Sequence, residues 1–218
     1  MKTDWDKIKA ELSDETTFEK PLETISNLSD IRPLPNEILH FILDLKDTDL
    51  ITEFLFSYNH FTHKHLSIIE KFIRKQITTH EEPSFKFDLI DFAAQSAMQS
   101  LWEICLDIVA NPAEDNIVIL GALIFLYERM QICDLPLVYS AFEKVLNSEH
   151  SYQNCQTAAA FFLYRMTFKQ EYFDFLTAGI ALNGGINREV LKNLLQEEYH
   201  QKPYFAAFDN LKKLLEAD

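Results

Sequence analysis

The sequence predicts an all-α protein, and three observations carry that expectation. Glycine is scarce at 4 and proline modest at 7 in 218 residues, which leaves little material for hairpin-rich β architecture. Apolar residues recur at helical spacing along nearly the whole chain, and the 18 Phe residues suit helices that pack on more than one side. Finally, one local pattern occurs twice. Phe125-Leu126-Tyr127 is followed by Arg129-Met130, and 37 residues later Phe162-Leu163-Tyr164 is followed by Arg165-Met166.

Residues 4–28 read as one or two short helices, with Trp5, Ile8 and Leu12 on one face and Phe18, Leu22, Ile25 and Leu28 on the next. Ile31-Arg32-Pro33-Leu34-Pro35 is an extended connector, because a residue before proline is pushed out of the α region. Asn36 is placed to cap a helix over 36–46, and Asp47-Thr48-Asp49 to stop it and cap a successor over 48–58. Thr62 opens a helix over 63–78. Asp88 and Asp91 form a variant capping box for one long helix over 89–110, closed by Asn111-Pro112. The segment 114–131 is apolar all round from Ile117 to Tyr127, so it is expected in the interior as the central layer. Asp134 caps 135–148, with Pro136 in its first turn. Helices over 152–167 and 170–182 follow, stopped by Asn183-Gly184-Gly185, and Asn187 caps 188–201. The last helix, 204–217, follows Pro203 and carries Phe205, Phe208, Leu211, Leu214 and Leu215.

A helical pair recurring at this period resembles α-solenoids of the HEAT, armadillo and tetratricopeptide kind. The resemblance implies a right-handed α-α superhelix of about ten antiparallel helices, with a compact irregular bundle as the alternative. The expected pairs are 36–46 with 48–58, 63–78 with 89–110, 114–131 with 135–148, 152–167 with 170–182, and 188–201 with 204–217. The whole chain, 1–218, is expected to be a single domain, in which 1–32 hold the N-terminal helices and connector and 33–218 the hairpin array.

The chain carries 34 acids against 20 bases, a net charge of −14. Such a surface repels phosphate backbones and anionic membranes and favours a basic protein partner. Cys105, Cys133 and Cys155 are an odd number without CxxC spacing, which points to free thiols in a reducing cytoplasm. No hydrophobic signal region opens the sequence, and its longest apolar run is about half of what spans a bilayer. Phosphate-loop, HExxH, GxSxG and dinucleotide signatures are absent.

Three constellations have chemical potential. Between Glu81 and Asn116 stand eight acids, Glu81, Glu82, Asp88, Asp91, Glu103, Asp107, Glu114 and Asp115, against Lys86 alone. They are read as an acidic docking surface. Tyr127, Arg129, Tyr164 and Arg165 hold matching places in the two repeats and would form a ladder along one face of a solenoid. His60, His63 and His65 cluster closely, but i and i+2 on a helix point about 200° apart, and a local basic surface is the simpler reading.

The functional expectation is therefore a non-enzymatic module that engages a basic protein, without cofactor or metal. Small acidic helical domains are similar in type to some bacterial immunity proteins, which implies an inhibitor covering the nucleic-acid site of a secreted nuclease toxin. The alternatives are a metal-assisted helical enzyme using the histidine cluster, and a structural subunit of a complex.

Overall fold

The computed structural model describes residues 4–14, 19–29, 31–181, 186–198 and 206–216. These residues contain thirteen α-helices and no strand, and they belong to two compact units, Met1–Met98 and Gln99–Asp218. Phe18, the Asn183-Gly184-Gly185 stop, Pro203 and Phe205 lie outside the described residues.

In the first unit the chain forms α1 (Trp5–Leu12), α2 (Glu19–Leu28), α3 (Asn36–Leu43), α4 (Thr48–Ser57), α5 (His63–Thr79) and α6 (Pro83–Gln95). Side-chain caps set several of the starts. Asp4 accepts from the Lys7 N–H, Asp47 from the Asp49 and Leu50 N–H groups, and Thr62 from His65, whose ring accepts in return from the Thr62 N–H. Consecutive helices pack as pairs, α1 on α2, α3 on α4 and α5 on α6. Odd helices also touch the next odd helix, and even helices the next even one. Ile25, Ile38, Ile42, Phe54, Ile69 and Leu89 fill the interior of this arrangement.

Two cap assignments change. Pro35, not Asn36, occupies the N-cap position of α3. Asp88 and Asp91 cap nothing, because α6 starts at Pro83 behind Glu82 and both carboxylates lie in its body.

The larger correction concerns the expected helix over 89–110, which is two helices. Helix α6 ends at Gln95 in a pair of reversed hydrogen bonds, Ala97 N–H to Ala94 C=O at 3.2 Å and Met98 N–H to Ala93 C=O at 3.0 Å. Ala97 stands in the left-handed region at φ 56°. This stop normally recruits glycine, since a Cβ there costs about 1–2 kcal/mol, so the sequence gives no warning of it.

A 3-10 turn at Gln99–Leu101 leads into α7 (Trp102–Ala110) and so opens the second unit. It continues with α8 (Asn116–Arg129), α9 (Leu135–Asn147), α10 (Gln153–Thr167), α11 (Gln170–Ala181), α12 (Arg188–Glu198) and α13 (Ala206–Glu216). Because α7 is separate, the pairing shifts by one helix: α8 packs chiefly on α7 and α10, and α9 on α10. The expected pair of 114–131 with 135–148 is the weaker contact. Helices α10 with α11 and α12 with α13 pair as expected.

No residue from Ile117 to Tyr127 is exposed, as the all-round apolar pattern requires. The hub of the unit is nevertheless α10, which touches α8, α9, α11 and α12. Its Ala158, Ala159 and Ala160 are wholly buried, so neighbouring backbones approach closely on several sides, beside the large rings of Phe161 and Phe162. Asp134 does not cap α9 with its side chain. Its carboxylate accepts instead from the Gln131 N–H at 2.9 Å, closing a 3-10 turn at Ile132–Asp134.

Candidate functional site

One face of α7 presents Glu103, Leu106, Asp107 and Ala110, the i, i+3, i+4, i+7 set of a helix. One face of α9 presents Leu137, Ser140, Ala141, Lys144 and Val145, with Ser148 at its end. The two helices pack together, and these faces form the walls of a groove of about 540 Å³ in the second unit. Val109 and Ile119 are buried beneath it, while Leu137 leaves the α9 wall 52% exposed. His150 and Ser151, from the segment after α9, complete the lining of the groove.

Charge in this groove is sorted by wall. Glu103 and Asp107 stand on the α7 side, Lys144 on the α9 side and His150 beyond it. None of these four side chains hydrogen-bonds or ion-pairs with a described residue. A concave apolar floor with a few polar groups around it is the kind of lining that ligand pockets share. His150 meets the neighbouring serines only through its backbone, whose N–H donates to the Ser148 hydroxyl at 3.2 Å.

The eight predicted acids divide evenly between the units. Glu81 and Glu82 are exposed before α6, and Glu82 accepts from the hydroxyls of Thr48 and Ser84. Burial raises the Asp91 carboxyl above its ordinary range, against an opposing bond from Gln95. Burial also raises Asp88, assisted by the charges of Asp91, Asp49 and Glu82. In the second unit Glu114 is half-buried and Asp115 caps α8 by accepting from the Ile117 N–H at 2.9 Å. Only Glu103 and Asp107 line the groove.

Tyr127 and Arg165 of the predicted ladder do come together. The Tyr127 ring stacks on Phe162 at 4.3 Å, and the Arg165 guanidinium lies 5.1 Å from its centre. Tyr164 instead meets the rings of Phe168, Phe173 and Phe208, and the buried Nε of Arg129 has no hydrogen-bond partner among the described residues. Tyr127 and Arg165 thus join α8 to α10, while Tyr164 meets rings of α11 and α13.

The histidines have separate tasks. His65 is buried in the α5 cap, and burial lowers its pKa. His60 contacts Arg32, and His63 is exposed. Among the described residues no three His, Cys, Asp or Glu side chains are grouped as a metal would require. The cysteines also differ: burial pushes the Cys155 thiol up to about 12 and raises Cys105, while Cys133 is exposed.

Sequence reasoning missed a polar clasp joining α9 to α11. Glu143 accepts from the hydroxyls of Tyr139 at 2.6 Å and Tyr172 at 2.8 Å, and Lys169 donates to Tyr139 at 2.7 Å. The only signal was Tyr139 and Glu143 at i, i+4, a spacing shared by many solvated pairs. The phenol bonds, Tyr139 first, hold the Glu143 carboxyl below its usual range, whereas burial foremost raises the Tyr172 phenol.

These shifts give opposite pH responses. A carboxylate with a lowered folded pKa adds stability above its unfolded value of 4.5 and loses it as pH falls through the folded one. A carboxylate with a raised folded pKa adds stability below its unfolded value of 3.8 and loses it as pH rises through the folded one. Glu143→Gln should therefore be less stable than the parent at pH 7, and Asp91→Asn more stable. The first difference should vanish as pH falls through the folded pKa of Glu143, and the second as pH falls from the folded pKa of Asp91 to below 3.8. Urea titrations at stepped pH measure this, and equal signs at pH 7 would contradict it.

Among the described residues no helix is long and apolar enough to cross a membrane. Compared with known proteins, the chain matches no family model, no curated protein and no solved structure. What fold and site define together is, among the described residues, an all-helical protein of sequentially paired helices with an apolar-floored, charge-sorted groove in its second unit.

Proposed function

We propose that this chain is a non-enzymatic protein-binding module, a HEAT-like array of helical hairpins, and that it engages a basic segment of a protein partner. The observation that supports the reading is the groove between α7 and α9, where two carboxylates with no partner among the described residues line one side of an apolar floor. Cations docking there would be steered by the net charge of −14 and held beside low-dielectric walls. Neither the fold nor the comparisons add to the immunity-type version, so the proposal stops at a basic partner. The odd-with-odd and even-with-even packing in the first unit is what a solenoid of hairpins would produce, and it supports the array reading.

Retention of native-lysate proteins on the immobilised chain tests this, at low and at moderate salt, with Glu103→Gln/Asp107→Asn alongside. A specific basic protein should be held at low salt, released by added salt and missing from the variant. Retention indifferent to both salt and substitution would overturn the reading.

A further inference from the structure

Resting on that reading, we infer that the α7–α9 groove seats an amphipathic helix with two cationic side chains one turn apart along one flank and an anionic side chain along the other. The walls are single faces of two helices packed side by side, and a third helix lays its ridge of side chains into such a channel. From Leu137 to Ser148 the α9 wall is twelve residues, about 17 Å or three turns. An extended occupant fits poorly for a specific reason. Helical walls have spent their backbone hydrogen bonds internally, so a strand laid here would bury N–H and C=O groups without partners. A helix brings its own.

Charge fixes how the occupant lies. Glu103 and Asp107, four residues apart on one face of α7, stand one helical turn from each other, which matches the spacing of Lys or Arg at i and i+4 of a facing helix. Lys144, on the opposite wall, calls for Asp or Glu on the other flank. Between the flanks, Leu106, Ile119, Ala141, Val145 and the half-exposed Leu137 take apolar side chains.

The test uses the full chain and three labelled peptides of equal length and equal numbers of Lys and Glu, followed by fluorescence anisotropy at low ionic strength. The first is helical, with a Leu stripe, Lys on one flank and Glu on the other. The second has the same composition with the charges spread around the helix. The third replaces Leu by Gly and stays unfolded. The first peptide should bind best, and Glu103→Gln/Asp107→Asn should weaken it about tenfold. Glu81→Gln/Glu82→Gln should leave it unchanged. Glu103→Lys/Asp107→Lys should reverse the preference, toward a fourth peptide in which the Lys and Glu of the first are exchanged. Circular dichroism shows that each variant keeps its helices. Binding of the second peptide as tightly as the first overturns the inference, as does indifference to positions 103 and 107 or no binding of the first peptide. If the unfolded peptide binds equally and loses affinity in the Glu103/Asp107 variant, the helix is wrong while the basic-segment reading stands. Failure of lysate retention in both salts removes that underlying reading instead.

Discussion

Phe125→Ala should lower the unfolding free energy of the 99–218 unit by about 3–5 kcal/mol, the range for emptying a large ring from a packed interior. Phe125 is wholly buried on α8, which α7 and α10 hold from two directions. Removal leaves a cavity that neighbours can fill only by moving, and α10 is not free to move, being held in turn by α9, α11 and α12. The loss would be a large part of the ~5–15 kcal/mol that keeps a typical domain folded, so partial unfolding at ambient temperature is part of the expectation. Ile124, next in sequence but only partly buried, supplies the control. Ile124→Ala should cost about 1–2 kcal/mol, because part of its surface is wet before and after the change. Urea titration followed by far-UV circular dichroism measures both. A Phe125→Ala loss below about 1 kcal/mol would mean that α8 is not enclosed, and the packing described here would be wrong.

That enclosure was legible because it depends on composition alone. A helix with Ile117, Val118, Ile119, Leu120, Leu123, Ile124, Phe125 and Leu126 has no polar face to offer water, whatever its neighbours are. Neighbours are another matter. The stop at Ser96-Ala97 has neither glycine nor proline, and a smooth apolar stripe runs through it from Ile90 to Ile108. Missing that single left-handed residue merged α6 with α7 and assigned α8 to α9, although its packing is chiefly with α7 and α10. Local patterns report which face a helix buries. Pairing depends on how many helices precede it, so the unrecognised break displaced the pair that followed it, whereas α10 with α11 and α12 with α13 still pair as expected.

The candidate groove was half legible for the same reason. Glu103 and Asp107 stand out as an outward i, i+4 pair, and they do line it. Their opposite wall could not be read, because Leu137, Ala141 and Val145 look like core positions of α9 and Lys144 like a solvated one. Only the packing of α9 against α7 turns those side chains toward the carboxylates. Asp88, Asp91 and Asp115 share the sign and the stretch of sequence, yet two are half-buried within α6 and one caps α8. Charge density along a chain does not separate these roles.

Thr157→Val should cost about 1–3 kcal/mol for a change of nearly constant shape, the penalty for leaving a buried donor without its partner. Thr157 is wholly buried among the alanines of α10. Its hydroxyl donates to the Gln153 carbonyl at 2.7 Å and accepts the Asn187 N–H at 2.8 Å. Asn187 in turn accepts from the Val190 N–H at 3.1 Å and so caps α12. One hydroxyl thereby ties the start of α12 to the hub helix. Valine keeps the volume and strands the Asn187 donor, whereas Thr157→Ser keeps the hydroxyl and loses only a methyl, at about 1 kcal/mol. Overall stability separates the two poorly, so the deciding measurement is local. Amide hydrogen exchange at Asn187 and through the first turn of α12 should accelerate in Thr157→Val beyond the change in global stability, and keep pace with it in Thr157→Ser. Equal exchange in the two variants would show that packing alone, without the hydroxyl, fixes α12 on α10.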